Sequence, residues 1–222
     1  MIWNGKMSSF LLAGLTILGL IIPSLAVDES EEPLLGYTLN IGEQKVRVEA
    51  GRETVVQGNF ENPKVTLQAD TEKHFTYAGL DFRYPAYFAF EAAVETEGIR
   101  IWTLSGNGCV LIIQHYHTVA MNAEEFAKGL KGQYGKSATA KPTSRKFNHQ
   151  TFHGLQVTAK IAGVQMTQDV LAFDTKGGCR LLIIQQSDGD NAASKEEFER
   201  VIKLLNTTLQ VKPLPKMDSA LH

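Results

Sequence analysis

The sequence predicts an α+β fold, an antiparallel β-sheet with helices packed on it, and three observations carry that prediction. A glycine turn opening into an apolar, β-branched run that ends in glutamine occurs twice, as Gly106–Gln114 and as Gly177–Gln185. Runs of this length bounded by turn residues suit buried strands. Each copy is followed by a helix start containing Glu-Glu-Phe, at 124–126 and 196–198. The remaining apolar residues alternate two apart, so the chain reads as two similar strand-rich units, each closed by a helix and sharing one sheet.

The 222 residues are 43% hydrophobic and 21% charged, with a formal net charge of −2. A chain of this length buries a full core without disulfides. A slightly acidic balance argues against a nucleic-acid partner, which usually demands a basic face. At the N-terminus, Lys6 precedes an apolar run from Phe10 to Leu25, Pro23 interrupts its end, and Ser24-Leu25-Ala26 supplies small residues. Residues 1–26 therefore read as a secretory signal peptide, which places the protein in the periplasm or outside the cell. The alternative is an uncleaved anchor, although the run is shorter than the roughly 20 residues of a membrane span. No later segment is long enough to cross a membrane.

Residues 27–35 begin Val-Asp-Glu-Ser-Glu-Glu-Pro and predict a solvated acidic linker. From 36 to 76, Leu39 and Ile41, Val46 and Val48, and Val65 and Leu67 each sit two apart. They predict short, half-exposed strands, either a small β module or an extension of the main sheet. The principal domain is expected over 77–211. Leu80, Phe82 and Tyr84 alternate up to Pro85, a strand-ending residue. Asn107-Gly108 between two strand patterns predicts a hairpin. Asn122 and Glu125 form a capping box for a first helix with Phe126, Leu130 and Tyr134 on one face. Gly129 and Gly132 cost that helix about 1 kcal/mol each, and close packing on the sheet would account for them.

Residues 135–149 are polar, with Lys136, Lys141, Arg145 and Lys146, and predict a solvated loop or an anion-binding lid. Strands are expected from Phe152 to Ile161 and Val164 to Phe173, turned at Gly163. Ser194 and Glu197 predict a capping box for the last helix, whose face carries Phe198, Val201, Ile202, Leu205 and Leu209. Pro213 and Pro215 end it, and 212–222 read as a flexible tail.

Cys109 and Cys179 are the two cysteines, one in each repeat copy. Export permits a disulfide. However, alignment on Leu-Ile-Ile-Gln puts the cysteines on opposite faces, so a disulfide and two buried thiols both remain open.

Leu80-Asp81-Phe82-Arg83-Tyr84-Pro85, the glycine-bounded hairpins and the closing amphipathic helix carry a resemblance. Over residues 77–211 the chain resembles the PsbP/Mog1/DcrB-like family, which groups photosystem II PsbP, yeast Mog1 and the bacterial periplasmic protein DcrB. The resemblance implies an α/β/α sandwich used mainly as a non-enzymatic accessory or binding module. The strands of 36–76 are not part of that pattern.

No nucleophile elbow, phosphate loop or His-Glu-x-x-His occurs in the chain. The leading expectation is a non-catalytic binding or accessory protein with a protein partner or small ligand and no cofactor. The first alternative is a Zn or Cu protein using His115 and His117, which a continuing strand points to one face, joined by His149 or His153. The second is a hydrolase whose carboxylates meet only in space. Ser187–Asn191 resembles a calcium-loop fragment, but without the remaining ligands it reads as a turn. The aromatic residues Phe82, Tyr84, Tyr87, Phe88 and Phe90 read as core, with a ligand groove as the alternative.

Overall fold

The computed structural model describes residues 28–94, 98–117, 121–175, 178–188 and 192–212. The predicted signal peptide, most of the calcium-like turn and the tail beyond Lys212 lie outside the described residues.

Strands β1 (Gly36–Ile41), β2 (Gln44–Glu49) and β3 (Val65–Ala69) form an antiparallel sheet of their own, in the order β2-β1-β3. Gly42, at φ +59°, makes the β1–β2 turn, a conformation that glycine adopts without strain. β4 (Glu72–Phe75) and β5 (Leu80–Pro85) follow as an antiparallel pair.

β6 (Ala89–Ala93), β7 (Ile99–Ser105) and β8 (Cys109–Tyr116) are consecutive antiparallel strands. Helix α1 (Ala123–Tyr134) starts at Asn122 with both halves of the capping box formed with Glu125. β9 (Thr139–Phe147), β10 (Gln150–Ile161), β11 (Val164–Thr175) and β12 (Gly178–Asp188) complete a seven-stranded antiparallel sheet, ordered β6-β7-β8-β12-β11-β10-β9. Helix α2 (Ala192–Thr208) leads into β13 (Gln210–Val211), which pairs with β5 and ties the segment after α2 to the body.

The two repeated strands lie side by side at the centre of the large sheet. β8 and β12 run antiparallel, with Ile112 opposite Ile183 and Ile113 opposite Leu182. Cys109 pairs with Gln186 at one end and Cys179 with Tyr116 at the other. Seven residues of strand separate those ends, about 24 Å, far beyond disulfide reach. Both cysteines are free and buried.

Alternation along β8 and β12 divides the core. Cys109, Leu111, Ile113, Leu182 and Ile184 pack with Phe198, Val201 and Leu205 of α2 and with Leu80, Phe82 and Tyr84 of β5. Leu181 and Ile183, with Val157 and Val170, pack against Ala123 and Ala127 of α1. Phe82, Tyr84 and Phe88 are buried core residues, Phe90 packs at the core edge, and Tyr87 is exposed.

Three expectations need correction. The polar loop of 135–149 is for most of its length the edge strand β9, paired with β10 from Thr139 to Phe147. Its charges mask the strand period because one side of an edge strand faces water. Thr143, Arg145 and Phe147 form its inward row, and the Arg145 Nε donates to the buried Asp169 carboxylate at 2.7 Å. Secondly, the acidic linker is fastened to the body. The Trp102 indole donates to the Glu29 carbonyl at 2.7 Å, the Tyr77 hydroxyl donates to the Glu31 carbonyl at 2.7 Å, and Glu32 pairs with Lys73. Thirdly, Ser194 lies inside α2, and Glu197 reaches across to the β7–β8 turn instead of capping its own helix.

Candidate functional site

His115 and His117 do share a face at the end of β8, their ring centroids 3.9 Å apart. The register sets His115 directly between Arg100 of β7 and Arg180 of β12. Arg180 is buried and donates through Nη1 to the carbonyls of Ala78 and Lys212, both at 3.0 Å. Arg100 pairs with Glu29. Two guanidinium groups beside an imidazole pair oppose a further cation. His153 lies three strands away on β10, about 14 Å across the ladder, with a side chain on the opposite face from Phe152. His149 sits in the β9–β10 turn at φ +68°. The structure therefore forms the pair and leaves out both candidate third ligands. Among the described residues no group of three or more His, Cys, Asp or Glu is placed to hold a metal.

The pair gives a stability signal instead. Burial, then the neighbouring His117, Arg180 and Arg100, pushes the His115 pKa down to about 4 from an ordinary 6.5. His117 is lowered in the same sense, chiefly by burial. The unfolded chain thus binds protons that the folded chain refuses, so the stabilisation is complete above 6.5 and is lost as pH falls toward about 4. Denaturant midpoints measured across that window are expected to fall with pH in the wild type and to flatten in His115→Asn. An unchanged slope would refute this.

An open groove lies between α1 and the sheet. Ala123 and Ala127 are buried against the sheet, and Phe126 and Leu130 pack at the edge of the same cluster while staying half-exposed, as does Tyr134. They stand beside a groove of about 440 Å³ floored by Ile112, Gln114, Gln168, Ile183 and Gln185. Gln114 and Gln185 are the glutamines that end the two repeated runs. The Gln168 amide donates to Gln185 Oε1 at 2.8 Å, and the Tyr116 hydroxyl donates to Gln114 Oε1 at 2.7 Å. Gln168 is only 4% exposed, yet its own Oε1 has no hydrogen-bond partner among the described residues. An orphaned buried acceptor is costly, and this one is enclosed beneath the groove floor. Gly129 lines the same groove, and a Cβ built there meets nothing within 4 Å. The helix glycine is therefore not explained by close packing; it keeps the groove wall low. Sequence reasoning missed this site because its glutamines come from three strands, although the twice-repeated terminal glutamine was the available clue.

A second, polar cleft of about 390 Å³ lies between the N-terminal sheet and β4–β5. It holds Asp70 and Glu72, but Arg47 lies 3.4 Å from Asp70 and Arg83 lies 3.5 Å from Glu72. His74, also lining it, is engaged with Asp81. Its carboxylates are thus already matched by cations.

No protein-family model matches the chain, and no curated protein matches it in sequence. Among solved structures it is similar to the solution structure of cyanobacterial PsbP (CyanoP) from Synechocystis sp. PCC 6803. The TM-score is 0.40 at 11% identity, covering 64% of this chain and 92% of that one. The likeness is a loose one of fold. No helix among the described residues is long and apolar enough to cross a membrane.

Proposed function

We propose that the protein is an exported, non-catalytic binding or accessory module. In this reading residues 1–26 are its signal peptide, and 77–211 form a PsbP/Mog1-like α/β/α sandwich of two related strand-and-helix units. The observation that carries the binding role is the groove between α1 and the sheet. Its polar lining is the four amides of Gln114, Gln133, Gln168 and Gln185 with Tyr134 and Glu125, whose carboxylate is engaged by the Asn122 backbone in the capping box, and its walls include Ile112, Phe126, Leu130 and Ile183. Amides donate and accept hydrogen bonds without carrying charge or exchanging protons at neutral pH, so they recognise and do not catalyse. The fitting ligand is neutral, with an apolar body and an N–H or O–H that the accessible amides of Gln114, Gln133 and Gln185 can bond.

The test is a screen of neutral amide and alcohol fragments, read by NMR shifts of the three strand glutamine side chains. Gly129→Leu should fill the groove and abolish those shifts while leaving stability equal or higher, because leucine is the better helix former by up to about 1 kcal/mol. Fragment shifts that persist in Gly129→Leu would reject the groove. Turnover of any substrate that Asp70→Asn or Glu72→Gln abolishes would instead favour the hydrolase alternative in the polar cleft.

A further inference from the structure

The N-terminal sheet is mounted with its faces reversed. Thr38, Arg47 and Gln68 form one cross-strand row and line the polar cleft, so the hydrophilic face turns toward the body. Leu39, Val46 and Leu67 form a row of the other face, flanked by Val48 and Val65, and no helix or strand among the described residues covers it. Val65 and Leu67 are 55% and 59% exposed, and every residue of β3 is exposed. Adjacent apolar side chains left in water on a three-stranded sheet mark an interaction surface.

The edges decide what kind of partner fits. Edge strands normally carry charge or proline, which blocks pairing with another chain. β2 has Lys45, Arg47 and Glu49; β4 has Glu72 and Lys73; β6 has Glu91; β9 has Lys141, Pro142, Arg145 and Lys146. β3 reads Val-Thr-Leu-Gln-Ala, without either device. Its outer side, unpaired among the described residues, offers alternate backbone N–H and C=O groups to a further strand.

We propose that β3 is a homodimerisation edge, pairing antiparallel with β3 of a second copy of this chain about a two-fold axis at Leu67. The flanking charges support self-pairing. With Leu67 opposite its copy, Val65 faces Ala69, and Lys64 comes opposite Asp70, whose carboxylate already lies 3.4 Å from Arg47 of its own chain, so Lys64 of the other copy would be its second cation, twice over by symmetry. Lys64 and Asp70 stand an even number of residues apart and so project to the same face. The six-stranded sheet that results joins the two apolar faces into one surface. Among the described residues β13 is the other edge without charge or proline, but it is only two residues long, so pairing through β3 closes at two copies.

The experiment is analytical ultracentrifugation of the purified full-chain product at micromolar concentrations, with thermal midpoints confirming that each variant is folded. A dimer is expected. Leu67→Lys sets two ammonium groups against each other on the axis and should raise the dissociation constant at least about tenfold. Lys64→Glu and Asp70→Lys should each weaken self-association. The first sets a new carboxylate opposite Asp70 of the other copy, and the second sets a new ammonium opposite Lys64. Mixing those two variants should restore the dimer, since both cross-strand pairs become opposite in sign. A wild type that stays monomeric overturns the proposal, as does a mixture that fails to associate. A dimer indifferent to Leu67→Lys also overturns it and assigns the contact to another surface, residues 1–27 included.

Discussion

Glu197→Ala is expected to lower the unfolding free energy by about 3 kcal/mol, among the largest single-residue effects in the protein. The carboxylate belongs to α2 but serves the β7–β8 turn. It accepts from the Gly108 amide at 2.8 Å, the Cys109 amide at 3.1 Å and the Tyr87 hydroxyl at 3.0 Å. Gly106 and Gly108 let the helix come this close. A Cβ at Gly108 would lie 2.3 Å from the Ser194 Cβ, and one at Gly106 would lie 2.4 Å from Glu197 Oε1. Alanine at 197 leaves the two turn amides without that acceptor where the helix packs against the turn. Burial pulls the Glu197 pKa up, but the Gly108, Asn107, Tyr87 and Cys109 hydrogen bonds together outweigh it and hold it below its ordinary 4.5. The contribution is therefore present above 4.5 and is lost as pH falls through the depressed folded value. Glu197→Gln keeps the shape and an acceptor oxygen, so it should cost less and flatten the acid limb. Urea titrations at neutral and acid pH check both, and a loss under about 1 kcal/mol for Glu197→Ala would rule out this account.

Much of that arrangement is half-legible in the sequence. The repeated glycine, the hairpin at Asn107-Gly108 and the apolar face of α2 are all local signals, and they sit where the periodicity puts them. Ser194 and Glu197 have capping-box spacing, but spacing cannot tell a carboxylate that bonds its own helix from one that bonds a distant turn. The strand β9 is illegible for a similar reason. Lys141, Arg145 and Lys146 describe the solvent side of an edge strand, and what holds it is the ladder to β10 together with the buried Asp169 beneath Arg145. The acidic leader reads as a free linker because it is fastened partly through backbone carbonyls, which carry no residue signature. His115 and His117 share the face that the strand period predicts, yet the residues that decide their chemistry, Arg100 and Arg180, arrive from other strands. The groove is the clearest case. The twice-repeated terminal glutamine is visible, but its meaning depends on Gln168 lying beside the second copy and on the half-exposed side of α1 bordering the same groove.

Gly154→Ala is the second large effect, expected to destabilise by about 3 kcal/mol or more. Gly154 lies within β10, opposite Leu171 of β11 and Thr143 of β9. A Cβ there would sit 1.9 Å from the Val170 carbonyl oxygen and 2.9 Å from its carbon. Those atoms are backbone, so no rotamer change relieves the contact. β11 cannot retreat either, because its other side is paired with β12 from Gln165 to Thr175. The remaining response is for β10 to move away, opening hydrogen bonds on both of its sides and shifting Val157, which packs with the α1 cluster. Gly129→Ala supplies the opposite sign from the same chemical change. Its Cβ meets open space in the groove, so relief of the helix penalty should stabilise the protein by up to about 1 kcal/mol. Thermal and urea midpoints of the two variants, measured side by side, separate a glycine needed for close strand approach from one that keeps a groove open. Near-equal midpoints for the pair would show that neither glycine has the role assigned to it.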